Sequence, residues 1–417
     1  MKTIVINERE GTRIPFLRGI LTRSLLDSGL PFEEAFEMAT RVREDFADSQ
    51  EIPSAKIRSA ICGLLKEAGQ REVLESYRVQ VVAPARIVVR NPSGASSAFS
   101  RGKHELYLQA AGIKPDRAES TTNRIFEVLL AAGVDSITTR QLGYLTYLCL
   151  EQEVSKKAAK RYLLWSEYQR SARPLAVLIC GTMGSGKSTI ASEVAHVLDI
   201  VRIQSTDMLR EVMRMMIPKR LLPVLHKSSF TAWKTLPAKN AADRDWEQLV
   251  VDGYRSQADL LAVPCVAVLH RAVEEGVPLI LEGVHTHPDL MQRMPEDTGV
   301  ILVHVTLAVL KTKELRARLR GRGAEVPQRR SKRYLKNFDS IWSLQSYLLS
   351  EADRCNVPII TNHDREKAVW QIVQQVSFEL ARHFDGTPED IFGPVVERCR
   401  EQATELPWHD MVPHLIE

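Results

Sequence analysis

The 417-residue chain has few aromatic residues, 6% of the total, and a net charge of only +4. So small a charge gives no general electrostatic case for a nucleic-acid or membrane partner, and any basic patch has to be argued locally. Its six cysteines, Cys62, Cys149, Cys180, Cys265, Cys355 and Cys399, form no CxxC pair. Scattered single thiols exclude a zinc knuckle, argue against a disulfide framework and fit a reducing cytoplasm. The longest apolar runs, such as LLAVPCVAVL at 260–269, fall well short of the ~20 residues that cross a bilayer. The opening MKTIVINEREG breaks at Asn7 and Glu8, too early for the apolar core of a signal peptide. The remaining composition, 44% hydrophobic and 26% charged, is that of a globular protein. At roughly 100–200 residues per domain, two to four domains are expected.

What is present begins with a duplication. TIVINEREGTRIPFLRGILTRSLLDSGL aligns without gaps on RIVVRNPSGASSAFSRGKHELYLQAAGI at an offset of 83. Ile4, Val5, Gly11, Phe16, Arg18 and Gly19 match Ile87, Val88, Gly94, Phe99, Arg101 and Gly102, and Leu25, Gly29, Ala35 and Arg41 match Leu108, Gly112, Ala118 and Arg124. So many matches in one register predict a repeated module, 1–85 and 86–172. Each copy opens on a β-branched run, turns at a glycine and continues to Phe-x-Arg-Gly, the pattern of a small hairpin. Helices follow. Phe36, Ala39, Val42 and Phe46 recur at helical spacing, and Asp27–Gly29 and Ala132–Gly133 read as helix ends.

The segment INEREGTRIPFLRGILTRSLLDSGL is similar to the ATP-cone, the regulatory nucleotide-binding module of ribonucleotide reductases. The resemblance implies two small α+β modules. It also implies a regulatory nucleotide held by Arg9, Arg13 and Arg18 in the first copy. The second copy has Arg90, Arg101 and Lys103, but Asn91, Pro92 and Ser93 replace the charged turn. The competing reading is that both copies only pack, or mediate a homo-oligomer.

Gly181-Thr182-Met183-Gly184-Ser185-Gly186-Lys187-Ser188 satisfies G-x-x-x-x-G-K-[ST]. Glycines let the backbone turn tightly and aim N–H groups at phosphate oxygens. The helix that follows puts its positive end on the same anion. Lys187 adds a full charge for the β- and γ-phosphates, and the Ser188 hydroxyl is the expected Mg2+ ligand. The loop, through Thr189, is thus the candidate ATP site. Its context is right. LAVLIC reads as a buried strand, and Ala191, Val194, Ala195 and Leu198 fall on one face of the following helix.

A second strand is expected at Ile200–Ile203, with Asp207 just past its end. In open α/β sheets the site lies outside the carboxyl ends of the strands. A carboxylate there can orient an acceptor hydroxyl and take its proton, although Asp207 at a helix start also suits an N-cap. Arg210 and Arg214 follow at i+3 and i+7, on the same helix face. VPLILEGVH reads as another buried strand ending in Glu282, a candidate Mg2+ ligand. His285 lies three residues on, either over the acceptor or structural. GVILVHVTL and VPIITN complete five strands, and with the intervening helices they predict a doubly wound parallel sheet of the P-loop kinase type. Residues 311–333 hold ten Lys or Arg against two Glu. They read as a mobile lid with hinges at Gly321 and Gly323, whose planar arginines suit phosphate and carboxylate oxygens. The segment contains no aromatic residue, which disfavours stacking on nucleic-acid bases.

From about 174 to 384 the chain resembles the 2-phosphoglycerate kinase family. The residues that carry this are ICGTMGSGKSTIASEVA, STDMLREVMR, SSF, VVDGYRSQ, HRAVEEGVPLILEGVH and FDSIWSLQSYLLSEADRCNVPIITN. The resemblance implies ATP- and Mg2+-dependent phosphorylation of the C3 hydroxyl of 2-phosphoglycerate. It places Lys187 and Ser188 on ATP and Mg2+, Asp207 on the hydroxyl, and Arg210, Arg214 and the lid arginines, with Arg318 and Arg322, on the acceptor; His285, by its place after Glu282, is a further candidate there. Arg320 becomes the catalytic lid cation, and Asn362 borders the adenine. A kinase for another small anionic alcohol, a nucleotide sensor with little turnover and a nucleic-acid end kinase are the rivals. The kinase domain is expected over 173–385, and 386–417 resembles nothing.

Overall fold

The computed structural model describes residues 3–7, 12–16, 18–47, 49–81, 87–132, 134–237, 245–293, 299–325, 331–402 and 406–416. It divides into two compact units, Met1–Val88 with Val134–Ser136, and Val89–Gly133 with Ile137–Glu417. Among the described residues no helix is long and apolar enough to cross a membrane.

The first unit runs β1 (Ile4–Asn7), β2 (Thr12–Pro15), α1 (Arg18–Asp27), α2 (Phe32–Asp45), β3 (Glu51–Pro53), α3 (Ser54–Glu67) and α4 (Arg71–Val81). β1 pairs antiparallel with β2 and parallel with β3. Leu25, Ala35, Ala39, Val42, Ile52, Ile61 and Leu65 form its core. Ala39 and Val42 are buried as their spacing predicted, but Phe36 is not. The stripe runs through Ala35 instead, since 35, 39, 42 and 46 hold the i, i+4, i+7 pattern more closely. Phe36 stacks on the exposed Phe32, and the Arg18 guanidinium lies 4.1 Å from its ring centre.

The same element order recurs in β4 (Val88–Arg90), β5 (Ser96–Ala98), α5 (Arg101–Ala110), α6 (Pro115–Ala131), β6 (Ser136–Thr138), α7 (Thr139–Cys149), a π turn (Leu150–Val154) and α8 (Lys156–Arg170). The two sheets have matching orders, β2-β1-β3 and β5-β4-β6.

β7 (Leu175–Cys180) follows, buried along its whole length, as the centre of a parallel sheet requires. Next come α9 (Lys187–Val197), β8 (Arg202–Ser205), α10 (Thr206–Met216), two 3-10 turns (Pro223–His226 and Ser229–Thr235), α11 (Trp246–Glu274) and β9 (Leu279–Glu282). β10 (Ile301–Ala308), α12 (Thr312–Glu325), α13 (Ser331–Lys336), α14 (Phe338–Arg354), β11 (Ile359–Thr361) and α15 (Arg365–His383) complete the domain. The five strands are parallel in the order β11-β10-β7-β9-β8; four lie on the predicted apolar runs, and β8 meets its expected strand only at Arg202 and Ile203. β8 starts two residues later than expected because Ile200 still closes α9. Its N–H donates to Ala195 O at 2.8 Å, and Asp199 turns at φ 54°. Ala176 and Leu178 pack against Ala262, Cys265 and Leu269 of α11. The chain leaves β7 toward β9 and β8, then returns past it to β10, so β7 borders the switch point where a ligand crevice opens.

The final segment is part of this second unit rather than a loose tail. α16 (Pro388–Phe392), α17 (Pro394–Gln402), a 3-10 turn (Trp408–Met411) and α18 (Val412–Ile416) bury Phe392, Val396 and Trp408. Phe392 packs on Tyr144, Tyr147 and Tyr162, and the Trp408 indole N–H donates to Glu153 at 2.6 Å. The described residues from 386 onward thus complete the core of the second module.

Candidate active site

The phosphate loop sits between β7 and α9, as its motif requires. Gly186 takes φ 90° at the N-cap of α9, and a Cβ there would lie 2.3 Å from Asn362 Nδ2. Only glycine fits both constraints. The loop is braced from outside. Asn362 Nδ2 donates to Ser185 O at 2.7 Å, and Leu315 and Leu319 of α12 close over Gly184. Met183 joins the apolar cluster of Leu315, Leu319, Phe230 and Phe338. Ser185 Oγ donates to Thr182 O at 2.9 Å, and Lys187 Nζ donates to the same carbonyl at 3.1 Å. Gly181 and Thr182 are buried, whereas Ser188 and Thr189 open to solvent.

Ser188 Oγ donates to Glu282 Oε1 at 2.9 Å. Glu282 ends β9 and is buried, so parallel pairing with β7 delivers its carboxylate to the loop. Two hard oxygen donors side by side at a phosphate site fit Mg2+, which takes one or two protein oxygens and fills its octahedron with phosphate and water. No group of three or more His, Cys, Asp or Glu suited to a metal occurs among the described residues.

Ser188 and Glu282 open, with Lys187 and Met183, into a cavity of about 440 Å³. Asp207, Arg210, Glu211 and Arg214 line it from α10. Asp207 stands in the first turn of α10, but Ser205 is the cap, its Oγ accepting from Asp207 N at 3.3 Å. The Asp207 carboxylate is thereby left to the cavity, with 53% of its side chain exposed and Arg210 Nε at 3.7 Å. Arg214 lies 3.1 Å from Glu211.

His285 does not line this cavity. It is buried, and burial pushes its pKa down to about 3. Gln257 Nε2 donates to Val224 O and Lys227 O, which leaves Gln257 Oε1 to accept from His285 Nε2 at 2.9 Å. His285 Nδ1 then accepts from the Thr206 hydroxyl at 3.2 Å. The neutral imidazole thus fixes the start of α10, where Asp207 sits, and acts on the cavity only through that helix. The same junction explains the glycine of EGVH. A Cβ on Gly283, at φ 155°, would lie 1.7 Å from Thr206 Oγ1. Gly283→Ala is therefore expected to cost about 1–3 kcal/mol of stability by overpacking and to lower activity by displacing Asp207. Denaturant melts with matched turnover assays measure both, and wild-type values in each would contradict the packing account.

The basic segment differs from a hinged lid. α12 runs unbroken through Gly321 and Gly323, because two helical glycines weaken a helix without ending it. Arg318 sits at the phosphate loop rather than in the acceptor cavity. It pairs with Glu314 at 2.7 Å and donates to Asn362 O. Asn362 is buried and serves as a brace for the loop. Arg316 lies 3.8 Å over the Phe338 ring, and Arg320 is exposed and lines no part of the cavity. The Arg322 side chain and residues 326–330, including Arg329 and Arg330, lie outside the described residues, as do Arg9 and the Arg13 side chain. The cavity wall that sequence reasoning missed comprises His226, Lys227, Ser228 and Ser229, with Arg333 and Tyr334 from α13. SSF marks Ser228 and Ser229, and Arg333 closes the basic segment 311–333, but neither signal places the two against each other.

A parallel sheet with a phosphate loop at its switch point, beside a cationic cavity into which the Asp207 carboxylate opens, is organised to move a phosphoryl group. The fold and site define a P-loop kinase. A family model described as an AAA domain matches residues 177–339. The chain is 34% identical over 285 residues to a 2-phosphoglycerate kinase of Methanopyrus kandleri, covering 68% of this chain and 85% of that one. It is 33% identical over 289 residues to the enzyme of the same name from Pyrococcus horikoshii and 36% identical over 282 residues to that of Thermococcus kodakarensis, each covered to 93%. The chain belongs to the 2-phosphoglycerate kinase family and is a phosphotransferase that uses ATP.

Proposed function

We propose that the protein transfers the γ-phosphoryl group of ATP to the C3 hydroxyl of 2-phosphoglycerate, giving ADP and 2,3-bisphosphoglycerate. The supporting observation is the shared cavity, in which Asp207, Lys187, Ser188 and Glu282 meet a set of cations. Lys187 and the loop amides hold the β- and γ-phosphates. Ser188 and Glu282 hold Mg2+, which when bound neutralises phosphate charge. Asp207 accepts the hydrogen bond of the acceptor hydroxyl. As the hydroxyl oxygen bonds to the γ-phosphorus and the bond to ADP breaks, the proton passes to the carboxylate. Arg210 and Arg214 offset the acceptor's roughly three negative charges, which beside ATP repel strongly in a partly dry cavity.

In the same reading the enzyme is cytoplasmic, and the first module senses a nucleotide through Arg9, Arg13 and Arg18. The placement of Arg18 over the partly exposed Phe36 supports a site there that combines charge with a ring. An ADP-release assay across phosphoglycerates, glycerate, sugar acids and nucleosides tests the acceptor. Turnover with 2-phosphoglycerate well above the rest is the expected result. A nucleoside turning over while 2-phosphoglycerate stays inert would refute the assignment.

A further inference from the structure

The far wall of the acceptor cavity is held in place with unusual care for a loop. Lys227 O accepts from Arg210 NH1 at 2.8 Å and from Gln257 Nε2 at 3.0 Å, and Gln257 is itself fixed by His285. Arg333 crosses from α13 and donates to Ser228 Oγ at 2.6 Å. Its neighbour Tyr334 meets Phe230 edge-on at 6.1 Å. Two elements about a hundred positions apart in sequence are thus joined at this wall, and what they bring to it is positive charge.

The cations of the cavity differ in their partners. Arg210 and Arg214 face Asp207 and Glu211 within 3.1–3.7 Å. Among the described residues the Lys227 ammonium has no hydrogen-bond or ion-pair partner, and the Arg333 guanidinium has only the Ser228 hydroxyl and the Phe230 ring. Cations not offset by carboxylates, in a cavity partly shielded from water, favour a dianion, and the fork of an arginine beside a hydroxyl suits phosphate oxygens.

We propose that Lys227, Ser228 and Arg333 form a second anion subsite, which grips the phosphate that the acceptor already carries. It is separate from the Lys187–Ser188 pair that grips ATP. The inference rests on the transfer reaction proposed above and names the residues that select its acceptor. The acceptor is a phosphorylated hydroxy acid, and a free hydroxy acid or a nucleoside lacks the group that this wall binds.

The test uses the full chain with Lys227→Met and Arg333→Met. Losing a charge-assisted hydrogen bond costs about 1.5–3 kcal/mol, so each variant is expected to raise the KM for 2-phosphoglycerate roughly 10- to 100-fold. The KM for ATP should stay within about twofold, and Lys227→Arg should recover part of the loss. Calorimetric titration of 2-phosphoglycerate without ATP should show the same fall in affinity. Should either variant lose ATP binding, Ser228→Ala replaces it, with a KM rise of about tenfold expected from one hydrogen bond to a charged group. Unchanged acceptor KM and affinity would overturn the subsite while leaving the transfer reaction standing. Binding that depends on Lys227 and Arg333 without any transfer would keep the subsite and sink the reaction. Absence of both binding and transfer would sink the two together.

Discussion

Lys187→Ala is expected to lower kcat roughly 10³-fold or more, while the melting temperature moves by no more than a few degrees. The lysine lies half-buried in the first turn of α9, where its Nζ reaches Thr182 O at 3.1 Å. That position puts a full charge in the loop that surrounds the transferred phosphate. Phosphoryl transfer offers the protein little covalent chemistry, so positioning and charge stabilisation carry most of the rate. Removing one preorganised donor at such a centre typically costs 10²–10³ in kcat, and a dedicated cation costs more. Stability is less affected because the loop is braced independently by Asn362, Leu315 and Leu319. Steady-state kinetics with a parallel thermal melt separate the two effects. A variant that keeps more than a tenth of wild-type kcat would contradict the role given to the lysine.

Asp207→Asn should lower kcat roughly 10²- to 10⁴-fold, the range for a general acid or base, with the KM for ATP nearly kept. The cap of α10 decides whether the loss is chemical or structural. Were Asp207 the N-cap, the substitution would also disturb the helix. Ser205 fills that role, so an amide of the same shape leaves α10 in place and removes only the proton acceptor. Arg210, 3.7 Å away, would then face a neutral group and lose an ion pair that is half open to water, worth at most about 1 kcal/mol. His285 cannot substitute as the base. Both its ring nitrogens are engaged, and burial holds its pKa near 3. Turnover close to wild type in Asp207→Asn would refute the acceptor role.

The phosphate loop, the five strands and the Asp207–Glu282 frame were all legible in the sequence. The reason is local. A parallel sheet writes its strands as uninterrupted apolar runs, and its site residues sit at the ends of those runs. The rest was set by contacts between distant segments. Lys227 and Arg333 stand 106 positions apart, and neither belongs to a strand end. Arg318 and Asn362 carried the right chemistry for substrates, but Glu314 and Ser185 engage them as supports. His285 followed a site carboxylate closely enough to read as a ligand, yet a turn of two residues sends it behind Thr206. Gly321 and Gly323 suggested hinges because glycine is flexible alone. Within α12, Leu315 and Leu319 anchor the helix on the phosphate loop and keep it continuous. The closing segment showed no motif because its task is to fill the apolar surface of the second module, where Phe392 and Trp408 need only shape and two hydrogen bonds from Trp408.

The central claim is that the bound triphosphate loses its end group to the acceptor hydroxyl that Asp207 holds. Phosphorus NMR of the full-length protein with ATP, Mg2+ and 2-phosphoglycerate reads the destination of that group directly. The account predicts a product bearing two phosphomonoester signals, formed in equal amount to ADP. ADP accompanied only by inorganic phosphate, or ATP left intact after long incubation, would contradict it.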